Sequence, residues 1–449
     1  MNDNTVRILI AEGVPSLNKG ELAIFKGMLK TFETLGKVEV SIFSYYPSID
    51  KERYPGNIGI VDVGSDLFLG NSLTEGSWLV RVRAKLFAAL QHFVFAFLYK
   101  ILGKNALKVM SRAIWREYCE SDLIIVCHDE VSFVGGFILN FSPIYITLLA
   151  KTLRKSIVIY ANGGTEFKRK AWKILAKHVL SYVTLITVRD EESFLNLKRL
   201  IPNNPRVYLT GDPAILLSFI DCARVKKMML KENIPSNGGL LIGAIINRNT
   251  LLNCSYKDDE RYEELVTEIA GLFDRLIERY QATIAFIPHS VEPFENNDDR
   301  IVSKEIFNAI RNKHKVRVIT NEYSPEELKG LLGQLDLLIS SRIHASISAL
   351  SMNVPTYTLT HSSDRRAYGL IGKMLKQEKW IYNLENLNVD VFFELITELL
   401  SESDKIREDL PYIVNSAKQK ALLNGGLLKA LLDSELFARE NIRRKHRQG

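Results

Sequence analysis

The residues best suited to chemistry in this 449-residue chain lie in one stretch, Asp336-Leu-Leu-Ile-Ser-Ser-Arg342-Ile-His344-Ala. Residues 336–339 form a short apolar run of the kind that makes a fully buried strand. Ser340 and Ser341 follow, and either hydroxyl can accept a hydrogen bond from a free amide at a helix N-terminus. Ile343, Ile347, Leu350 and Met352 then recur near helical spacing, Asn353 closes the helix, and Pro355 opens the next apolar run at 356–359. The pattern predicts strand, tight turn, helix, strand. Arg342 and His344 fall in the first helical turn at the strand's C-terminal end, where open α/β sheets bind ligands. Unpaired backbone N–H groups, a guanidinium and an imidazole make such a turn suited to an anion. A simpler reading stands beside it, in which Arg342 pairs with a nearby carboxylate and His344 is a packed polar residue.

The elements that must position this turn are legible as an alternation. Strands are predicted at 6–11, 38–45, 58–63, 122–127, 156–160, 185–188 and 206–209, with helices between them. The first helix carries Leu22, Phe25, Met28, Leu29, Phe32 and Leu35 on one stripe, with Asn18 as its cap and Gly36 at its end. A charged run and the sequence Ile234-Pro-Ser-Asn-Gly-Gly interrupt the pattern between 221 and 239. The alternation restarts with strands at 240–246, 283–287, 316–319, 336–339 and 356–359, and the chain reads as helical from there to a basic end at 443–447. Strands alternating with helices mean right-handed crossovers and parallel sheets. The fold class is therefore α/β, with two Rossmann-like parallel-sheet domains facing across a cleft in a GT-B-like arrangement. Domain limits follow at 1–225 and 238–400, with helices and a basic tail at 401–449.

Composition bounds the function. An apolar share of 46% and a charged share of 25% are those of a soluble globular protein. A net charge of +7 suits anionic ligands or membrane headgroups, and is too weak and dispersed for nucleic acid. Four cysteines without a Cys-x-x-Cys pair read as reduced, buried thiols of a cytoplasmic protein. Residues 86–102 are nearly long enough to span a bilayer, but Gln91, His92 and Lys100 interrupt them, and Arg81, Arg83, Lys85 and Lys104 flank them. They read as a buried or interfacial helix, with peripheral contact at the inner face of a membrane as the alternative.

Four stretches together resemble the polysaccharide pyruvyl transferase family: Asn18-Lys-Gly20-Glu21-Leu-Ala, Thr187-Val-Arg189-Asp190-Glu-Glu-Ser193, Gly211-Asp212-Pro213-Ala214, and residues 336–355. The last, Ser-Arg-Ile-His-Ala-x-Ile-x-Ala-Leu followed by Val-Pro, is the most specific. The resemblance covers roughly residues 6 to 375. It departs from the family pattern at Glu21, where Asp is usual, and after the fourth strand, where His128-Asp129-Glu130 precedes Gly135-Gly136. It implies a GT-B-like fold and transfer of the enolpyruvyl unit of phosphoenolpyruvate to a sugar, or to a lipid-linked saccharide, as a pyruvate ketal. No metal or cofactor is implied, phosphoenolpyruvate being the donor substrate.

The residues suit that chemistry. Guanidinium groups match the donor's phosphate and carboxylate in bidentate geometry, Arg342 first and Arg189 from the other domain. His344 can hydrogen-bond the phosphate or protonate C3 as the acceptor hydroxyl attacks C2. Glu21, Asp129 or Glu130 can take the hydroxyl proton, while Ser341, Asn18, Gly20 and Asp129 line the expected substrate site. His289 and His361 read as satisfied loop histidines, and Gly211-Asp212-Pro213 as a turn and helix start. The rival enzyme reading is a GT-B glycosyltransferase using a nucleotide-sugar, which shares the fold. A scaffold without activity would require the site residues to be lost, and they are present.

Overall fold

A computed structural model describes residues 5–63, 78–109, 113–127, 142–163, 170–204, 206–235 and 239–448. Asp129, Glu130 and the Gly135-Gly136 loop lie outside the described residues. Among those described, the strands form two sheets in which every pairing is parallel. The first contains β1 (Val6–Gly13), β2 (Val38–Ser44), β3 (Ile58–Asp62), β4 (Leu123–Val126), β5 (Ser156–Asn162), β6 (Leu185–Val188) and β7 (Val207–Leu209) in the order β3-β2-β1-β4-β5-β6-β7. The second contains β8 (Leu241–Ile245), β9 (Thr283–Phe286), β10 (Val316–Val318), β11 (Leu337–Ser340), β12 (Thr356–Thr360) and β13 (Ile381–Asn383) in the order β10-β9-β8-β11-β12-β13. Each is a doubly wound sheet whose order reverses between its first and fourth strands, β1 and β4 in one and β8 and β11 in the other. β4, β6, β8 and β11 are buried along their whole length. That burial on both faces is why they are mostly apolar and show no alternation.

Six helices matter below: α1 (Lys19–Phe32), α2 (Trp78–Leu102), α3 (Ser142–Thr152), α4 (Lys170–Leu180), α5 (Ile343–Leu350) and α6 (Ser403–Gln448). Two compact units divide the chain. The first holds residues 1–16, 31–211 and 422–449, and the second residues 17–30 and 212–421. The sequence pattern assigned the whole of α1 to the N-terminal half, whereas residues 17–30, most of α1 among them, belong with the second sheet. Local bonds explain this: Lys19 N–H donates to His289 O at 2.9 Å, Val291 N–H to Leu17 O at 3.2 Å, and Asn18 forms an antiparallel bridge with Ser290. The region read as an interdomain break holds a helix, Cys222–Lys231, capped by Asp221 and burying Val225, Met228 and Met229.

Beyond β12 the chain is less helical than the sequence suggested. Residues Ala367–Met374 wind as a π-helix, and three residues, Ile381–Asn383, add β13 to the sheet edge. A three-residue strand carries no period that a sequence pattern can register.

Within the second unit α1 lies against the turn that opens at Asp212. A Cβ added at Gly27 would stand 1.9 Å from the Pro213 carbonyl oxygen. Gly27→Ala gains roughly 0.5–1 kcal/mol of helix propensity. Forcing backbone apart costs about 1–3 kcal/mol. The variant is therefore expected to melt at a lower temperature than the parent, and a raised Tm would show that the helix can shift without loss.

Candidate active site

The second sheet reverses between β8 and β11, and the crevice above such a reversal is where α/β sheets take ligands. The chain stitches this point shut with Ser341. Its Oγ accepts from Asn247 N–H, just after β8, at 2.7 Å and faces Ile245 O at 3.5 Å. Ser341 is thus committed to holding two strand ends together and does not cap α5. Ser340 Oγ instead accepts from Arg342 N–H at 3.0 Å, and Arg342 is itself the residue before the helix, with no side-chain cap on the first turn. The leading amides of α5 remain for other partners, as at any helix start.

Arg342 takes the simpler of its two readings, yet keeps a donor in reserve. Its Nη2 and Nε lie 2.7 and 3.1 Å from Asp299 Oδ1, and Nη2 reaches Asn297 O at 3.4 Å. Nη1 has no hydrogen-bond partner among the described residues. Asp299 is buried and also accepts from the backbone N–H groups of His289, at 3.0 Å, and Ser290, at 2.9 Å. Burial pushes the Asp299 carboxyl up, and Arg342 with the two amides pulls against that. Only the ionised carboxylate can accept all of these donors, so the pair is a salt bridge. The same His289–Ser290 turn holds the entry to α1, and Lys19, just beyond, is buried with its Nζ 2.6 Å from Glu322 Oε1.

His344 sits in the first turn of α5 with 10% of its side chain exposed, its Nε2 3.5 Å from Asp212 Oδ2. That contact is ionic in range but not aligned as a hydrogen bond. Asp212 is fully buried, and its Oδ1 accepts from Ala214 N–H at 2.9 Å, so the Gly211-Asp212-Pro213 turn is capped by the residue that faces the imidazole. On the other side of the ring is Gly20, where an added Cβ would stand 2.8 Å from His344 Nδ1. Asn18 caps α1 as the sequence indicated, its Oδ1 accepting from Gly20 N–H at 3.1 Å and Glu21 N–H at 3.4 Å. Glu21 is half-buried in that first turn, and its carboxylate has no hydrogen bond or ion pair to a described residue.

Three of the four sequence stretches therefore meet in the second unit. The fourth lies in the first unit, where Arg189 is buried at the end of β6 with its N–H on Asn162 O at 3.1 Å. Its guanidinium is packed so close to Gly163 that a Cβ there would stand 2.7 Å from Nε. His361 is satisfied by Ser363 Oγ at 2.7 Å, as read from sequence. His289 is not an ordinary loop histidine. It is buried among Arg342, His344 and Lys19, and its ring has no hydrogen-bond partner among the described residues. Sequence reasoning also missed Asp299 as the partner of Arg342, and it gave Asp212 no part at the imidazole.

The chain matches the family described as polysaccharide pyruvyl transferase over residues 18–363. It belongs to that family. The stretches around Asn18, Gly211 and Arg342 lie within the matched residues, and the fold gathers them around the His344 ring. A curated relative, amylovoran biosynthesis protein AmsJ of Erwinia amylovora, is 19% identical over 96% of this chain and 100% of its own length. The fold of this pyruvyl transferase is GT-B-like, shared with a putative UDP-N-acetylglucosamine 2-epimerase of Listeria monocytogenes (TM-score 0.58, 12% identity, 96% and 97% of the two chains). It is shared also with HepE of Anabaena, solved with UDP and glucose (TM-score 0.56, 10% identity, 96% and 100%).

Burial first, and then the positive charge of Arg342 beside it, holds the His289 imidazole well below the usual histidine range. With its folded pKa below the unfolded value of about 6.5, the unfolded chain takes up this proton first. The stability that neutral His289 contributes is complete above that pH and declines as pH falls below it. Urea melts between neutral and mildly acidic pH should show this decline, and His289→Gln should flatten it. An unchanged slope would mean that folded His289 accepts a proton as readily as the unfolded chain does.

Proposed function

We propose that this pyruvyl transferase moves the enolpyruvyl unit of phosphoenolpyruvate onto a sugar of a cell-surface polysaccharide or its precursor, forming a pyruvate ketal. The observation that carries the reading is the turn after β11, where Arg342, held by Asp299, and His344, backed by Asp212, flank the uncapped start of α5. The role of the relative AmsJ in amylovoran biosynthesis supports a polysaccharide as the destination.

In this scheme Arg342 is fixed on one edge by Asp299 and offers Nη1 to the donor's phosphate or carboxylate, and the α5 amides add uncharged donors. The acceptor hydroxyl attacks C2 while His344 delivers a proton to C3, so the vinyl group becomes a methyl group. A second hydroxyl of the same sugar then displaces phosphate and closes the ketal. Asp212 stabilises the imidazolium that precedes proton delivery. Glu21 is the carboxylate for the hydroxyl proton, being in the first turn of α1 beside Gly20 and uncommitted to any described residue. Arg189 is a second donor-binding candidate from the first unit. Ser341 and Asn18 act by fixing strand and helix ends.

His344→Asn should cut turnover by about 10²–10⁴ while leaving phosphoenolpyruvate affinity nearly intact. Loss of affinity with turnover preserved would make His344 a phosphate ligand only. Arg342→Ala is the poorer probe, since it strands Asp299 and should cost about 3–5 kcal/mol of stability. Arg342→Lys keeps a charge for Asp299 but lacks the planar fork, so calorimetry should show weakened donor binding in a folded protein. The reaction itself is tested by mass spectrometry of candidate glycans incubated with phosphoenolpyruvate. Absence of the ketal, together with thermal protection by a nucleotide-sugar, would favour the glycosyltransferase chemistry instead.

A further inference from the structure

Helix α2 packs one face into the first unit and leaves the opposite face bare. Ala96 and His92 point inward, the His92 imidazole bonding Tyr145 of α3 and meeting the Trp115 ring edge-on at 5.2 Å. Phe93, Phe95 and Tyr99 lie partly buried against the same core. On the other side Phe87, Leu90, Val94, Phe97 and Ile101 are exposed, all but Val94 to about 60%. Spacings of three and four residues place them along a single stripe, one above another. A run of large exposed side chains in one line is not the scattered surface leucine of an ordinary soluble protein. No described helix is long and apolar enough to cross a membrane, so the stripe is not part of a span.

Charge identifies what covers it. α2 packs on α3 and α3 on α4, and the three helices share one face of the first unit's core. Their sequences contain Arg81, Arg83, Lys85 and Lys100 on α2, Lys151 on α3, and Lys170, Lys173 and Lys177 on α4, without a single Asp or Glu. Arg83, Lys100, Lys173 and Lys177 are exposed, and Ile174 stands exposed beside the two α4 lysines. A second copy docked through the same stripe would set cations against cations with no carboxylate on these helices to answer them. An anionic lipid surface answers both halves of the feature, apolar side chains entering the acyl boundary and cations meeting the headgroups.

We infer that α2 is an in-plane membrane-binding helix, which seats the first unit on an anionic bilayer through the Phe87–Ile101 stripe and the lysines of α2 and α4. The inference is independent of the donor chemistry. It is tested on the full chain by sedimentation with sucrose-loaded vesicles of phosphatidylcholine alone or mixed with phosphatidylglycerol, at low and high salt. The mixed vesicles should carry the protein down at low salt, with high salt releasing most of it. The double variant Leu90→Glu, Phe97→Glu, whose sites are exposed and whose Tm should match the parent's, should lose about tenfold or more of that binding. Lys100→Glu with Lys173→Glu should weaken it through charge alone. Failure to sediment at low salt, or binding unchanged in both variants, overturns the proposal. So does light scattering that shows a dimer which the Leu90→Glu, Phe97→Glu variant dissolves, since the stripe would then be a contact between copies.

Discussion

Asp299 is a carboxylate shut away from water, tolerable in ionised form only because four donors converge on it. Two are backbone amides of the turn after β9, and two come from the guanidinium of Arg342 after β11. Burying a charge costs several kcal/mol unless it is paired and hydrogen-bonded, so the arrangement holds as a whole or not at all. Through Asp299 the ends of two different strands are fixed to each other. Because the His289–Ser290 turn also holds the entry to α1, Gly20 and Glu21 are fixed to the same frame. The arginine is thus presented at a set angle, which a flexible surface cation could not achieve, with most of its conformational entropy already given up in the fold.

His344 is prepared by different means. A fully buried aspartate stands 3.5 Å from its Nε2, and a glycine leaves room for the ring. Arg342 and His344 are two residues apart yet answer to partners from unrelated segments. The first turn of α5 is therefore a meeting point of β9, α1 and the Asp212 turn rather than a self-sufficient motif. The first sheet has a comparable device at its own reversal point, where Glu12 near the end of β1 accepts from Cys127 N–H after β4 at 3.1 Å. Such a tie between the two central strand ends is a plain requirement of a crevice that must keep its width.

The sheets were readable in the sequence because strands buried on both faces must be mostly apolar, and the helices between them because one stripe must be apolar every three or four residues. β13 and the π-helix before it were not, being too short or too irregular to leave a period. Arg342 and His344 stood out because strand, turn and helix are all local. Asp299 did not, since nothing near residue 299 announces an arginine 43 positions away. Lys19 and Gly20 were visible as members of a stretch but silent about role, because what they serve lies more than 300 residues downstream. The helical segment at 86–102 showed its apolar content plainly, and only three-dimensional packing revealed that His92, which looked like an interruption, belongs to the buried side.

That separation matters for how the protein comes into being. Lys19 finds its salt-bridge partner, Glu322, 303 residues later in the chain. At ribosomal speeds of about 5–20 residues per second, the first half of α1 therefore waits on the order of 15–60 s for the sheet that will hold it. Throughout that interval the rest of the first sheet can be made and collapsed, while Lys19 still lacks the Glu322 carboxylate that pairs with it. A fold of this kind cannot complete its site from local contacts, because the frame around His344 closes only when segments about 300 residues apart have both been made.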